Sequence, residues 1–124
     1  MKENDFAKYW IENDILFFEY KDNVEIDLDA AKAIVNDRIK FQDYKDFPIL
    51  ADFRRVKSIN KEAREYLAKS GSKNVTACAV LTDSPVNRIM LNFYLKIDKP
   101  VTPTRMFSSN DEALEWLHQH ALKV

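Results

Sequence analysis

The stretch Phe47-Pro48-Ile49-Leu50-Ala51-Asp52-Phe53-Arg54-Arg55-Val56-Lys57-Ser58-Ile59-Asn60-Lys61-Glu62-Ala63-Arg64-Glu65-Tyr66-Leu67 decides how the chain is read. Phe47 to Phe53 is an apolar run of strand length, opening with Pro48, where a missing N–H is tolerated. Asn60 is a favourable helix N-cap, because its side-chain oxygen can accept from the free N–H groups of a first turn. Ala63, Tyr66 and Leu67 then form an inner helical face. Gly71 closes the helix, and its position predicts a C′ residue with positive φ.

The same alternation continues in both directions. Downstream, Val75 to Thr82 is apolar on both alternating faces, as a strand covered on two sides should be. Ser84-Pro85 starts a helix, a cap followed by proline at the first helical position, running to about Ile97. Lys99-Pro100-Val101-Thr102-Pro103 breaks it. Thr104 to Ser108 reads as a short last strand. Ser109-Asn110-Asp111-Glu112 is a capping box that opens a final helix with Leu114, Leu117 and Ala121 inward. Upstream, Phe6 to Glu12 and Ile15 to Tyr20 have strand composition, and Asn13-Asp14 between them suits a tight hairpin. Val24 to Ile26 is a short extended piece. Asp27 caps a helix to about Phe41, with Leu28, Ala31, Val35 and Ile39 on one stripe, Ile34 widening it, and Asp37, Arg38 and Lys40 on the wet side. Strands alternating with helices predict an α/β fold, in which the opening hairpin makes an otherwise parallel sheet mixed. Residues 1–124 read as one domain with about four helices.

Composition removes several function classes. There are 19 Lys+Arg and 20 Asp+Glu, a net charge of −1, so the chain lacks the basic excess of a general nucleic-acid binder. A single glycine excludes Gly-rich phosphate loops, and a single cysteine, Cys78, excludes disulfides and thiolate zinc clusters. Neither a cofactor nor a metal is expected. The polar start Met1-Lys2-Glu3-Asn4-Asp5 lacks the apolar core of a signal peptide. The longest apolar run, Ala77 to Leu81, is far short of the ~20 residues of a membrane span. The expectation is a cytoplasmic protein with no membrane insertion.

Asp52, Val56, Ile59 and Leu67, with Asn60 in place of an aspartate, match in kind and spacing the signature of STAS domains, the sulfate-transporter and anti-sigma-factor-antagonist family. The chain resembles that family in element order over nearly its whole length. With Tyr9-Trp10-Ile11, Lys57-Ser58-Ile59, Lys61-Glu62-Ala63-Arg64 and Ser84-Pro85 it looks still more like small stand-alone bacterial STAS-like proteins. The resemblance implies a protein-interaction or regulatory role. It also marks a departure, because Lys61, Glu62 and Ala63 stand where antagonists carry Ser-Ser-Gly. A phosphorylatable serine is therefore missing from the switch position, and Glu62 is a favourable first-turn carboxylate at the positive end of the helix dipole.

Nucleophilic and metal chemistry have little support. His118 and His120, two apart on a helix, do not face each other. Cys78 lies in the most apolar strand, where a thiol is inert. Asp52 and Asp83 fall at the carboxyl ends of parallel strands, where open α/β sheets place ligand crevices, with Ser58, Asn60 and Ser84 on the same rim. The competing reading makes these residues turn and cap formers. Arg54, Arg55, Lys57, Lys61 and Arg64 put five cations in eleven residues beside a helix start. They suit an anion or an acidic partner, or a solvated face diluted by Glu62 and Glu65.

The helix from Val86 to Ile97 has too many apolar residues for one face. Val86, Ile89, Met90, Phe93 and Ile97 are expected inward. Leu91 and Leu95, bordered by Met90 and Tyr94, are expected to form a second line, which either packs on sheet or loop within the monomer or serves a partner or a homodimer. Trp10, Phe17, Phe18 and Tyr20 on the hairpin are expected in the core, with an exposed aromatic face as the other possibility. The function expected is a non-enzymatic interaction module. The alternative is a carrier for a small apolar or anionic ligand, since STAS architecture is similar to that of the CRAL-TRIO lipid-transfer domains.

Overall fold

Asn13 and Asp14 both sit at positive φ (52° and 64°), the backbone a two-residue hairpin turn requires. They join β2 (Ala7–Glu12) to β3 (Ile15–Tyr20) in a computed structural model that describes residues 1–121. The orientation expected for Ala121 lies outside the described side chains. A two-residue strand, β1 (Lys2–Glu3), extends the hairpin at the edge. From β3 onward the strands are parallel: β5 (Phe47–Asp52), β7 (Val75–Leu81) and β8 (Thr104–Phe107). The sheet order is β1-β2-β3-β5-β7-β8, a mixed α/β sheet as the alternation predicts. Pro48 lies at a register irregularity between β5 and β7, which accommodates its missing N–H in a central strand.

Two short strands, β4 (Val24–Ile26) and β6 (Val56–Ile59), pair in parallel as a separate ribbon. The first is the extended piece that the sequence predicts. The second falls in what reads as a connection, because only Val56 and Ile59 of its four residues are apolar and buried.

Each helix starts on a side-chain cap. Asp27 accepts from Ala30 N–H (2.8 Å) at α1 (Leu28–Phe41), and Asn60 from Ala63 N–H (2.9 Å) at α2 (Lys61–Lys69). Ser84 accepts from Asn87 N–H (3.1 Å) at α3 (Pro85–Phe93), and Ser109 from Glu112 N–H (3.3 Å) at α4 (Asn110–Ala121). Such caps each contribute about 1 kcal/mol. None of the described helices is long and apolar enough to cross a membrane.

The helices divide between the two faces. Ala30, Ala31 and Ile34 of α1, Ala63 of α2 and Leu91 of α3 pack with Leu16, Phe18 and Val80 on one side. Ala113, Trp116 and Leu117 of α4 pack on the other side against Ala77, Ala79 and Leu81 of β7. Full burial of side chains such as Leu16 and Leu117 stabilises the fold by about 1.5–3 kcal/mol each. Of the hairpin aromatics, Phe18 and Tyr20 are buried, whereas Trp10 and Phe17 are half-buried and stack on each other at 5.4 Å.

Three expectations are corrected. Arg38 is not on the wet side of α1: it is only 4% exposed. Its guanidinium donates to Gln42 Oε1 and to the carbonyls of Gly71 (3.2 Å) and Lys73 (3.0 Å), and these acceptors hold it inside. Gly71 does not have positive φ; it lies within a 3-10 turn, Ser70–Ser72. A Cβ there would meet Leu67 Cδ2 at 3.3 Å, so close packing favours glycine. The third helix does not run unbroken to Ile97, because Tyr94–Asp98 forms a π-helical turn that ends with Lys99 at φ 49°.

Candidate functional site

The residues at the start of α2 do come together, as ion pairs. Arg54 binds Asp52 through both oxygens, Nε to Oδ1 at 2.9 Å and a terminal nitrogen to Oδ2 at 2.7 Å. Arg55 lies 3.3 Å from Asp22, Lys57 3.8 Å from Glu25, Lys61 3.9 Å from Glu65 and Arg64 3.0 Å from Asp98. Each of the five cations therefore has its own carboxylate. Burial pushes the Asp52 carboxyl up, and hydrogen bonding from Arg54 more than offsets it, so Asp52 titrates below the ordinary aspartate range. Asp83 adds its charge to the same end of the sheet and helps hold Arg54 above its usual value, after the larger effect of Asp52. Asn60 and Ser84 act as helix caps, while Lys61 and Glu62 project from the exposed first turn of α2. Ser58 sits half-buried in β6.

The larger finding is the orientation of α3. Asn87 is buried and donates from Nδ2 to the carbonyl of Phe53 at 2.9 Å, which docks the helix on the carboxyl end of β5. Leu91, one turn later, is only 4% exposed. Met90 and Tyr94 face a cavity beneath the helix. The expected faces are thus largely exchanged. Leu91 belongs to the core and Leu95 is half-buried, while Val86, Ile89, Phe93 and Ile97 are exposed, Ile89 at 58%. Periodicity picks the more hydrophobic stripe as the inner one. Here a polar residue, Asn87, lies on the inner stripe, with its Nδ2 held by a backbone carbonyl and its Oδ1 without a partner among the described residues.

Val86, Ile89 and Phe93 lie at i, i+3 and i+7 on α3, and Ile97 in the π-helical turn and Val101 in the next loop are exposed as well. Arg88, Lys96 and Lys99 border these residues, all exposed. Arg64 reaches over the Phe93 ring at 5.7 Å while held by Asp98, fixing one flank of the stripe to α2. The loop beyond is anchored by Val101 N–H on the Ala68 carbonyl (3.0 Å) and by the Thr102 hydroxyl on the Ser72 and Val75 carbonyls.

Beneath α3 lies a cavity of about 70 Å³, lined by Tyr20, Leu67, Cys78, Met90, Leu91 and Tyr94 among others. Burial pushes the Cys78 thiol up to about 12, leaving it protonated and unreactive at neutral pH. His118 and His120 are exposed on α4, and His120 lies against Trp116 at 4.7 Å. Among the described residues no group of three or more His, Cys, Asp or Glu could hold a metal ion.

Residues 9–121 match a family described as a domain of unknown function, DUF7793. No curated protein matches the chain. Among solved structures, the chain is similar to an uncharacterised protein of the DUF3478 family with a SpoIIAA-like fold, from Shewanella loihica PV-4. The TM-score is 0.61 at 12% identity, covering 94% of this chain and 98% of that one. The likeness supports the STAS-type fold to which Asp52, Val56, Ile59 and Leu67 pointed.

Proposed function

Since the chain belongs to the DUF7793 family and has a STAS-type fold, we propose that it is a non-enzymatic interaction module whose docking surface is the outer face of α3. The observation that carries this reading is the exposed stripe of Val86, Ile89, Phe93 and Ile97. Contiguous exposed apolar surface on a soluble domain marks an interaction site. The rim argues for the chemistry of the partner. Arg88, Lys96 and Lys99 border the stripe and make no ion pair with the described residues, so the matching surface is an apolar segment flanked by Asp or Glu. A symmetric dimer through this face would place the same cations on both sides of the interface, which disfavours self-association.

Regulation by a serine kinase at the α2 start is not part of this reading, because Lys61 and Glu62 offer no hydroxyl there. Catalysis by Asp52 and Asp83 is not part of it either, because Arg54 already occupies both Asp52 oxygens.

The test is a double substitution, Ile89→Glu with Ile97→Glu. Light scattering should give a monomer for both the parent and the variant. An acidic partner protein identified with the parent should lose at least tenfold in affinity for the variant, with the circular dichroism spectrum unchanged. A parent dimer that the variant dissociates, or a partner bound equally by both proteins, contradicts the reading.

A further inference from the structure

β7 and β8 are neighbouring parallel strands that lead to opposite faces of the sheet. β7 continues into α3, whose Leu91 packs with Val80 on one face. β8 continues into α4, whose Trp116 and Leu117 pack on the other. The carboxyl ends of these two strands therefore form a topological switch point, the place where open α/β sheets hold ligands. A crevice of about 310 Å³ lies there, lined by Thr82, Arg88, Arg105 and Glu112, with Met106 and Phe107 as its apolar wall. Small-molecule sites begin at roughly this size, about 300 Å³.

Two separate features of the crevice point to an anion. The first is the state of its arginines. The chain has six. Arg38 is bonded to Gln42 and two backbone carbonyls, and Arg54, Arg55 and Arg64 are paired with Asp52, Asp22 and Asp98. Arg88 and Arg105 have no side-chain hydrogen bond and no carboxylate partner among the described residues, and both line this crevice. Arg105 lies over the Phe107 ring at 5.3 Å, which holds the guanidinium plane and leaves its edge donors free. The second feature is Thr82. It is only 1% exposed, yet its hydroxyl has no partner among the described residues. A buried polar atom left unpaired requires a cause, and a ligand acceptor supplies one. The first turns of α3 and α4 adjoin the crevice, and the positive ends of both helix dipoles add to the field of the arginines.

We propose that this crevice binds a small hydroxylated phosphomonoester. Its phosphoryl oxygens accept from the guanidinium forks of Arg88 and Arg105 and from the Thr82 hydroxyl. Two forks and a hydroxyl suit a head with three terminal oxygens better than a carboxylate with two. Glu112 is the carboxylate of the lining. It opposes a bare phosphate ion and accepts from a hydroxyl of the ester. The cations at the start of α2 do not compete for such a ligand, because each already holds a carboxylate. Arg88 also borders the docking surface, so the test rests on Arg105 and Thr82, which lie outside it.

Backbone amide NMR of the full chain, with glycerol 3-phosphate, inorganic phosphate and glycerol as probes, tests this. Glycerol 3-phosphate should give saturable shifts confined to the loops after β7 and β8 and the first turns of α3 and α4. Inorganic phosphate should bind about threefold more weakly or worse, and glycerol should give no saturable shift. Arg105→Ala should weaken glycerol 3-phosphate about tenfold, and Thr82→Val about threefold, with the amide pattern elsewhere unchanged. Arg54→Ala, at a guanidinium already held by Asp52, should leave the affinity as it is. No saturable shift with glycerol 3-phosphate in the parent protein overturns the proposal. Inorganic phosphate bound as tightly as the ester, unchanged affinity in Arg105→Ala, or an equal loss from Arg54→Ala overturns it as well.

Discussion

Arg38 on α1 donates to the backbone carbonyl of Gly71 at 3.2 Å, joining the last turn of one helix to the turn that ends another. The same guanidinium holds Lys73 O and Gln42 Oε1. Gln42 in turn donates to the carbonyls of Lys45 and Asn74, each at 2.8 Å, so the two side chains satisfy the backbone at the amino end of the central strands. Arg38→Ala removes the donors and leaves the buried Gln42 oxygen and two partly buried backbone carbonyls without them. It should lower unfolding free energy by about 2–4 kcal/mol, measured by urea denaturation. Arg38→Lys should recover only part of this, because one ammonium cannot reproduce the guanidinium fork.

Asp52 and Arg54 predict a pH dependence. The Asp52 carboxyl titrates below its ordinary value of 3.8, so the pair stabilises the folded state fully above that value. The contribution is lost as pH falls through the lower folded-state value. Arg54 is about half exposed and solvent screens the pair, so its worth should stay below about 1 kcal/mol. Asp52→Asn should therefore destabilise slightly at pH 6, and urea midpoints of parent and variant should converge towards pH 3.

Gly71→Ala separates two explanations of the only glycine in the chain. At positive φ an alanine would be strained. At the observed ordinary φ, the nearest atoms to the added methyl are those of Leu67 at 3.3–3.4 Å and Val35 at 3.8 Å. The lost backbone entropy of the unfolded chain partly offsets that crowding. The change in stability should be under about 1 kcal/mol by thermal or urea unfolding.

Gly71 also shows what the sequence could and could not disclose. The left-handed positions in this fold are held by Asn13, Asp14, Asn23, Asp43 and Asn74, together with Tyr44 and Lys99, and not by glycine. Asn13-Asp14 was legible because two such residues lay between two aromatic strands. The caps at Asp27, Asn60, Ser84 and Ser109 were legible for the same reason: their effect is local. The parallel order of β3, β5, β7 and β8 followed from the alternation of elements. The faces of α3 were not legible, because a buried Asn87 is recognisable only through its long-range bond to Phe53 O. Arg38 was misplaced likewise, since its acceptors Gly71 and Lys73 lie more than thirty residues away. The cations at the α2 start were visible as a cluster, but four of their five carboxylate partners were not visible as partners. Asp22, Glu25 and Asp98 come from other elements, and Asp52 from the strand end before them.

The most direct test of the docking surface places a photo-crosslinking amino acid at Ile89, with a control at exposed Glu115 on α4. Irradiation in native lysate, followed by mass spectrometry of the crosslinked peptides, identifies what rests on each face. The account predicts one dominant peptide at position 89, apolar and flanked by Asp or Glu, that is absent at position 115. Crosslinking at position 89 to a second copy of this chain, or the same products at both positions, would contradict it.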